Sequence, residues 1–370
     1  MHEIMRGINM RDIGILTFHD TNNFGAILQA YATYQVIKNM GYDVEIIDYK
    51  CREIAKREVP AEIFREEKGI RSRLRWVKSG RLEQKKYEEL KAFLRNNTVI
   101  SKRVYYSGNA KDMSKEYRTV LVGSDMVWCT LYTHSDYTYM LEGVSGCRKI
   151  TYATSGGLMW GKEEHEYIVS LLQDFNSIAM REISASEGLS EILGKKVWNV
   201  CDPTMLITQS KWKKMISEVE KKEDKFLVYM DDEEKNCRTN AERFAKEKKK
   251  IEIVGFRSIS NMKYRVREIY SIKDFLKEIY TASVLFTASY HGLLFALYFH
   301  TPFVYYNKDS SRMRTLADKV GIGYRDGNKY DVFSMREIDW EAIDSKIESF
   351  RKESMSVLEK MLGENCDTIS

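Results

Sequence analysis

Residues 13–49 read IGILTFHDTNNFGAILQAYATYQVIKNMGYDVEIIDY, and their pattern is the clearest indication of the fold class. Its first apolar run, Ile13–Phe18, predicts a buried strand, which a helical pattern from about Gly25 to Met40 follows. A second apolar run, Val44–Tyr49, predicts the next strand. Strand, helix and strand in this order form a unit whose two strands lie parallel, with the helix as the crossover.

The same alternation continues along the rest of the chain. In the first half, further strands are expected at Thr119–Val122, Lys149–Ala153 and Lys196–Cys201. In the second half, strands are expected at Phe226–Met230, Ile251–Phe256, Val284–Thr287 and Phe303–Tyr306, with helices near Glu233–Lys250 and Ile272–Tyr280. Continuous apolar strands between helices are typical of parallel sheets that are covered on both faces. The two series therefore predict an α/β protein with two Rossmann-like domains, residues 1–207 and 208–370, facing each other across a cleft.

Two segments do not follow this alternation. Residues 51–105 contain many Lys, Arg and Glu residues, with apolar residues at helical spacing, and predict a helical insert, interpreted as a hairpin. Residues 339–362 predict one long helix near the end of the chain, because apolar side chains from Trp340 to Phe350 recur on one stripe.

Composition excludes several classes of protein. With 43% apolar and 12% aromatic residues, the chain is not intrinsically disordered. The six cysteines form no C-x-x-C pair, so we expect neither a structural zinc site nor a disulfide framework. The first residues lack the apolar core of a secretory signal, and the uncharged stretch 280–307 is interrupted by His291-Gly292 and Pro302. A net charge of +5 gives no indication of nucleic-acid binding, so we expect a cytoplasmic protein without a nucleic-acid partner.

Polar side chains follow the strands of the first half. Asn23 precedes a predicted helix, whose unpaired backbone N–H groups can bind an anion or a hydroxyl group. Asp125 and Trp128 follow the strand that ends at Val122, and a carboxylate beside an indole suits a sugar. Each residue also has a structural interpretation: Asn23 and Asp125 can cap helices, and Trp128 can belong to the core. Both interpretations remain open.

Two further side chains, His291 and Arg181, suit an anionic substrate. His291 stands at a predicted junction of strand and helix, where it could transfer protons near neutral pH beside an anion held by helix N–H groups. Its alternative is a core histidine with a structural partner. Arg181 suits a carboxylate or a phosphate, because its planar guanidinium donates two parallel hydrogen bonds, although most arginines are solvated surface residues.

Seven segments occur in a recognisable order. They are the stretch at 13–49, GSDMVW at 123–128, YATSGG at 152–157, FNSIAMRE at 175–182, DPT at 202–204, TASYHG at 287–292 and SSRMRTLADKVGIGYR at 310–325. In their residues and in their order along the chain, these segments resemble the motifs of the polysaccharide pyruvyl transferase family. The resemblance covers most of the chain outside the helical insert and implies a GT-B-like fold of two Rossmann-like domains.

The resemblance also implies a reaction. Members of this family transfer the enolpyruvyl group of phosphoenolpyruvate to two hydroxyl groups of a sugar, which forms a cyclic pyruvate ketal. The family motifs place Arg181 and His291 at the phosphoenolpyruvate and so imply that they are catalytic. Further donor contacts are expected from Ser289, Gly292 and Arg312, with Arg257 and Arg314 as alternative cations, and acceptor contacts from Asn23, Asp125 and Trp128. Phosphoenolpyruvate is expected as a co-substrate, with no metal and no other cofactor.

Two alternative functions remain open. A GT-B glycosyltransferase that uses a nucleotide sugar would need a carboxylate for the ribose near a strand end, and Glu252 is predicted inside a strand instead. A catalytically silent sugar-binding protein is favoured by departures from the family pattern at Met126, Ala288 and Ser289.

The acceptor is expected to be a sugar or a lipid-linked oligosaccharide. The basic segment Arg71–Lys86 could accordingly lie on the inner face of an anionic membrane, and its alternative is a solvated helix face.

Overall fold

The computed structural model of the chain describes residues 10–66, 69–156, 158, 160–216, 224–230, 235–248, 252–256, 265–307 and 310–363. Contacts within the chain define two compact units. Unit 1 comprises Met1–Leu206 and Arg351–Ser370, and unit 2 comprises Ile207–Phe350. The sequence predicts a second domain of residues 208–370, whereas these contacts group its last part, from Arg351 onward, with unit 1.

Unit 1 contains a five-stranded parallel sheet. The unit has seven described strands, of which the first five form this sheet: β1 (Arg11–Leu16), β2 (Val44–Tyr49), β3 (Ile100–Tyr105), β4 (Tyr117–Val122), β5 (Arg148–Thr151), β6 (Ile178–Met180) and β7 (Val197–Asn199). Its helices are α1 (Phe24–Asn39), α2 (Arg52–Glu58), α3 (Pro60–Glu66), α4 (Ile70–Asn97), α5 (Thr130–Thr133), α6 (His165–Gln173), α7 (Ile183–Leu193) and α8 (Pro203–Leu206). The large sheet has the order β3-β2-β1-β4-β5, and β6 and β7 form a second parallel pair. Short 3₁₀ helices at Ser107–Lys115 and Tyr137–Met140 complete the unit.

Unit 2 repeats the plan with a second five-stranded parallel sheet. Its strands are β8 (Lys225–Tyr229), β9 (Glu252–Phe256), β10 (Arg265–Arg267), β11 (Val284–Thr287) and β12 (Phe303–Tyr305). The helices are α9 (Gln209–Met215), α10 (Lys235–Lys248), α11 (Ile272–Thr281), α12 (Tyr290–Tyr298) and α13 (Ser311–Val320), with a 3₁₀ turn at Gly323–Arg325. The last helix, α14 (Trp340–Gly363), begins in unit 2, and its residues from Arg351 onward belong to unit 1. Its strand order, β10-β9-β8-β11-β12, follows the same 3-2-1-4-5 pattern as the sheet of unit 1. Two such sheets confirm the predicted α/β class with Rossmann-like halves.

The uncharged stretch 280–307 forms β11, α12 and β12, as predicted. All nine residues of α12 are buried, which explains why this helix is apolar on every side. None of the helices in the described parts of the chain is both long and apolar enough to cross a lipid bilayer.

The predicted helical insert differs from the structure at its end. Three helices, α2 to α4, occupy it instead of a hairpin, and residues 100–105 form β3 at the edge of the sheet. This edge strand contains Lys102 and Arg103 between its apolar residues. Because of these charges, its sequence resembles that of the charged insert before it. The segment Arg71–Lys86 lies within α4, where the side chains of residues 71, 72 and 74–79 are outside the described residues, so the membrane contact stays a prediction.

Candidate functional site

A buried cluster of charges lies beyond the carboxyl ends of the strands in unit 1. Arg181 follows β6 and is only 2% exposed. Its Nη1 lies 2.7 Å from Oδ2 of Asp202, and its Nη2 lies 3.6 Å from Oδ1 of Asp125. Gln29 of α1 donates a hydrogen bond of 2.6 Å to the same Asp202 oxygen. We call these four residues the Arg181 cluster, in which two carboxylates offset the cost of burying one guanidinium.

The backbone after β4 places Asp125 in this cluster. Asp125 has a φ of 77°, in the left-handed region that aspartate tolerates better than most residues. Its carbonyl oxygen accepts a hydrogen bond of 2.9 Å from the backbone of Ser155. Gly123 also has a positive φ, 119°, and a Cβ there would lie 2.4 Å from the carbonyl oxygen of Tyr152. The GSDMVW segment is therefore a tight turn that holds a carboxylate beside Arg181.

Asp202 has a second structural role at the start of α8. Its Oδ1 accepts hydrogen bonds from the backbone nitrogen of Thr204, at 3.0 Å, and from the hydroxyl group of Thr204, at 2.7 Å. Pro203 occupies the first position of the helix, where it needs no N–H partner. Neither Asp202 nor Gln29 is among the site residues predicted from sequence. The signal available for Asp202 was an aspartate before a proline at a helix start, which is typical of a cap.

Trp128 lies in the core of unit 1. Its side chain is fully buried, its Nε1 donates a hydrogen bond of 2.8 Å to the carbonyl oxygen of Tyr139, and its ring packs edge-on against Phe175. The prediction that this indole contacts a sugar is therefore wrong for this structure, because no part of the ring reaches the surface.

Asn23 is exposed and caps α1. Its Oδ1 accepts hydrogen bonds from the backbone nitrogens of Gly25, at 2.8 Å, and Ala26, at 3.3 Å. The structure thus shows the capping role that the sequence left open, and the proposed sugar contact stays a prediction.

Replacing Asn23 tests the capping role. We expect Asn23→Ala to lower the free energy of unfolding by about 1 kcal/mol, because two backbone N–H groups lose their acceptor. Asn23→Ser should retain most of the stability, since serine is also a good cap. Urea denaturation measures both variants, and an Asn23→Ala variant as stable as the parent would contradict this assignment.

In unit 2, hydrogen bonds fix the turn between β11 and α12. The hydroxyl group of Thr287 donates to the carbonyl oxygen of Tyr229, at 2.6 Å, and accepts from the backbone nitrogen of Ser289, at 3.0 Å. Ser289 caps α12 by accepting from the backbone nitrogen of Gly292, at 3.3 Å. His291 therefore lies in the first turn of α12, where it is 9% exposed and packs edge-on against Tyr290.

Gly292 allows α12 to begin close to the sheet. A Cβ at this position would lie 2.6 Å from Oγ1 of Thr287 and 2.9 Å from Cδ1 of Tyr229. Any larger residue would push the first turn, and with it His291, away from the ends of β8 and β11. The helix begins at Tyr290, and the N–H group of Gly292 donates a hydrogen bond to the hydroxyl oxygen of Ser289.

Arg312 follows the neighbouring strand of the same sheet. It lies in the first turn of α13, which Ser310 caps, and its side chain is partly exposed. Because β11 and β12 are parallel neighbours, the amino termini of α12 and α13 both lie beyond the carboxyl edge of this sheet. Helix amino termini favour anions, so His291 and Arg312 belong to an edge of positive potential. Arg314 is exposed, and Arg257 lies outside the described residues.

The predicted catalytic pair is divided between the two units. Arg181 belongs to unit 1 and His291 to unit 2, and a common crevice for both side chains stays a prediction. Within the described part of the chain, no group of three or more His, Cys, Asp or Glu side chains is arranged to hold a metal ion.

Comparisons with known proteins identify the family. The family model described as polysaccharide pyruvyl transferase matches residues 23–310, while no curated protein matches the chain. Among solved structures, an S. aureus MnaA–UDP co-structure has 11% identity and a TM-score of 0.53, and the match covers 95% of this chain and 97% of that chain. A UDP-N-acetylglucosamine 2-epimerase has 13% identity and a TM-score of 0.50, with coverage of 96% and 97%. These likenesses show the fold, which is GT-B-like. With the family model matching most of its length, the chain belongs to the polysaccharide pyruvyl transferase family and is a transferase.

Proposed function

We propose that the protein transfers the enolpyruvyl group of phosphoenolpyruvate to two hydroxyl groups of a sugar, in a surface polysaccharide or its lipid-linked precursor. The product is a cyclic pyruvate ketal, and inorganic phosphate is released. The observation that carries this proposal is the position of His291 in the first turn of α12, with Arg312 at the neighbouring strand end. There a group able to transfer protons lies at an edge of the sheet that favours a phosphate.

The reaction requires a proton donor and a site for a trianion. His291 donates a proton to the methylene carbon of phosphoenolpyruvate, which leaves positive charge on C2. A sugar hydroxyl oxygen then attacks C2, and its proton returns to His291. Loss of phosphate restores the cation at C2, the second hydroxyl oxygen closes the ring, and its proton leaves with the phosphate. Atoms and charges balance without a redox partner.

The positive charge around phosphoenolpyruvate would come from the amino termini of α12 and α13 and from arginine side chains. Arg312 and the amino termini of α12 and α13 would hold the phosphate or the carboxylate, and the Ser289 hydroxyl group can donate a further hydrogen bond. Arg181 is the second proposed cation. Because Asp125 and Asp202 already offset its charge, we expect Arg312 to carry the larger share of the donor's binding energy. Asp125, which is 15% exposed, can accept a hydrogen bond from an acceptor hydroxyl group.

The position of Glu252 disfavours the glycosyltransferase alternative. Glu252 begins β9, so it lies at the amino end of its strand. Ligands of parallel sheets bind at the opposite, carboxyl end. A titration with UDP provides the direct comparison, and binding of UDP in preference to phosphoenolpyruvate would favour that alternative.

The donor assignment is tested by calorimetry. We expect saturable binding of phosphoenolpyruvate and weaker binding of 2-phospholactate, which has the same charged groups but lacks the planar enol double bond. We also expect phosphate release from phosphoenolpyruvate when a panel of lipid-linked or nucleotide-linked sugars is added. The absence of heat with phosphoenolpyruvate at millimolar concentration would contradict the assignment.

A further inference from the structure

A polar cavity lies in unit 1, and none of the residues named for the proposed reaction lines it. Its volume is about 420 Å³, and it lies between the last turns of α4, the end of β2 and the loop after β1. Its charged and titratable lining residues are His19, Asp20, Asp48, Lys50, Lys91 and Arg95. We call this cavity the α4 pocket. Its volume falls within the range of about 300–1,000 Å³ that is usual for small-molecule sites.

The two carboxylates of the α4 pocket are held by the protein itself. The Nζ of Lys50 lies 2.6 Å from Oδ2 of Asp20 and 2.7 Å from Oδ1 of Asp48. Tyr87 donates a hydrogen bond of 2.5 Å to Asp20, and Nε2 of His19 lies 2.9 Å from Oδ1 of Asp48. Burial opposes the ionisation of both carboxyl groups, but the hydrogen bonds from Lys50 and its neighbours outweigh it and hold both pKa values below their usual range. Both groups are therefore ionised at neutral pH.

The wall formed by α4 adds positive charge. Lys91 and Arg95 are four residues apart on one helix, so they lie on the same face, one turn from each other. The Nζ of Lys91 donates a hydrogen bond of 3.0 Å to the hydroxyl oxygen of Tyr87 and lies 3.5 Å from Asp20, and Arg95 is exposed. The lining therefore has three cationic side chains, Lys50, Lys91 and Arg95, against two carboxylates, so the pocket has a net positive charge.

We propose that the α4 pocket binds a phosphorylated sugar. Lys91 and Arg95 would hold the phosphate, since an ammonium group and a guanidinium fork both donate charge-assisted hydrogen bonds to phosphate oxygens. Asp20 and Asp48 would accept hydrogen bonds from sugar hydroxyl groups. The inference rests on the proposed function only in naming this ligand as part of the acceptor, which would then be a sugar carried on a phosphate.

The test compares matched variants on one helix. α-D-Glucose 1-phosphate, D-glucose and inorganic phosphate are titrated into the parent protein and into the variants Arg95→Gln, Lys91→Gln and Arg81→Gln. Arg81 is an exposed arginine of α4, roughly 21 Å before Arg95 along the helix axis and outside the pocket lining, so it controls for the loss of one charge. We expect the sugar phosphate to bind more tightly than either of its parts. Arg95→Gln and Lys91→Gln should each weaken its binding by about tenfold.

Two outcomes would overturn the inference. The first is equal affinity for the sugar phosphate in the parent and in both pocket variants. The second is binding of inorganic phosphate as tight as that of the sugar phosphate, which would leave no role for the sugar.

A parallel titration with phosphoenolpyruvate separates this inference from the proposed function. Arg95→Gln should leave its affinity unchanged, whereas Arg312→Gln should weaken it and leave the binding of the sugar phosphate intact. Absence of phosphoenolpyruvate binding would contradict the proposed function. The inference about the α4 pocket would still hold if the sugar phosphate binds and the pocket variants weaken that binding.

Discussion

Arg181→Met is expected to lower the free energy of unfolding by about 3–5 kcal/mol, the usual cost of removing one partner from a buried ion pair. The substitution keeps most of the side-chain volume but removes the guanidinium. Asp202, which is fully buried, would then lose the guanidinium that lies 2.7 Å from its carboxylate, and Asp125 would lose the same cation. An uncompensated charge in this environment is costly, so we expect a large shift of the urea midpoint, followed by circular dichroism and tryptophan fluorescence.

A matched control for this variant is Arg118→Met. Arg118 lies in β4 of the same unit and 3.9 Å from Asp12, but its side chain is 64% exposed. We expect a change of at most about 0.5 kcal/mol, because solvent screens an exposed ion pair. Similar losses in both variants would contradict the special role of the Arg181 cluster.

A double variant examines the cause directly. Asp202→Asn removes the negative charge that would lose its guanidinium partner in Arg181→Met, while the amide oxygen can still cap α8. The double variant should therefore lose clearly less stability than the sum of the two single variants. Additive losses would show that the guanidinium of Arg181 and the carboxylate of Asp202 do not stabilise each other.

The strands of the two sheets could be predicted from sequence because their apolar runs are continuous. Val44–Tyr49 and Val284–Thr287 begin and end where predicted, and Ile343, Ile347 and Phe350 of α14 are buried as their spacing indicates. Strands without such runs were missed. β3 is an edge strand with charged residues, and β6 has only three residues.

The Arg181 cluster could not be predicted from local pattern. Gln29 and Asp202 are 173 residues apart in sequence, and only the folded sheet brings α1 and the start of α8 together. Trp128 shows that local sequence also does not reveal the direction of a side chain. A tryptophan near a strand end can face a ligand or the core with the same neighbouring residues. Local sequence indicates which loops gather at a strand edge, while the direction of each side chain depends on distant partners such as Tyr139 and Phe175.

His291→Ala is expected to slow phosphate release from phosphoenolpyruvate by about 10²–10⁴-fold, the usual contribution of a general acid or base. Its affinity for phosphoenolpyruvate should change much less, because Arg312 and the helix termini remain. Product formed in heavy water should carry deuterium in its new methyl group, and the variant should slow this incorporation to the same extent as phosphate release. These readouts distinguish proton transfer from binding.

His300→Ala provides the matched control in the same unit. His300 lies 3.0 Å from Asp344 and stacks on Trp340, so its ring ties the end of α12 to α14. We expect this variant to lose stability and to retain its rate at temperatures where it is folded. A His291→Ala variant that releases phosphate at the parental rate would remove His291 from the mechanism. Loss of phosphoenolpyruvate affinity equal to the loss of rate would instead assign it to binding, because a group that acts only in the transition state leaves the ground-state complex intact.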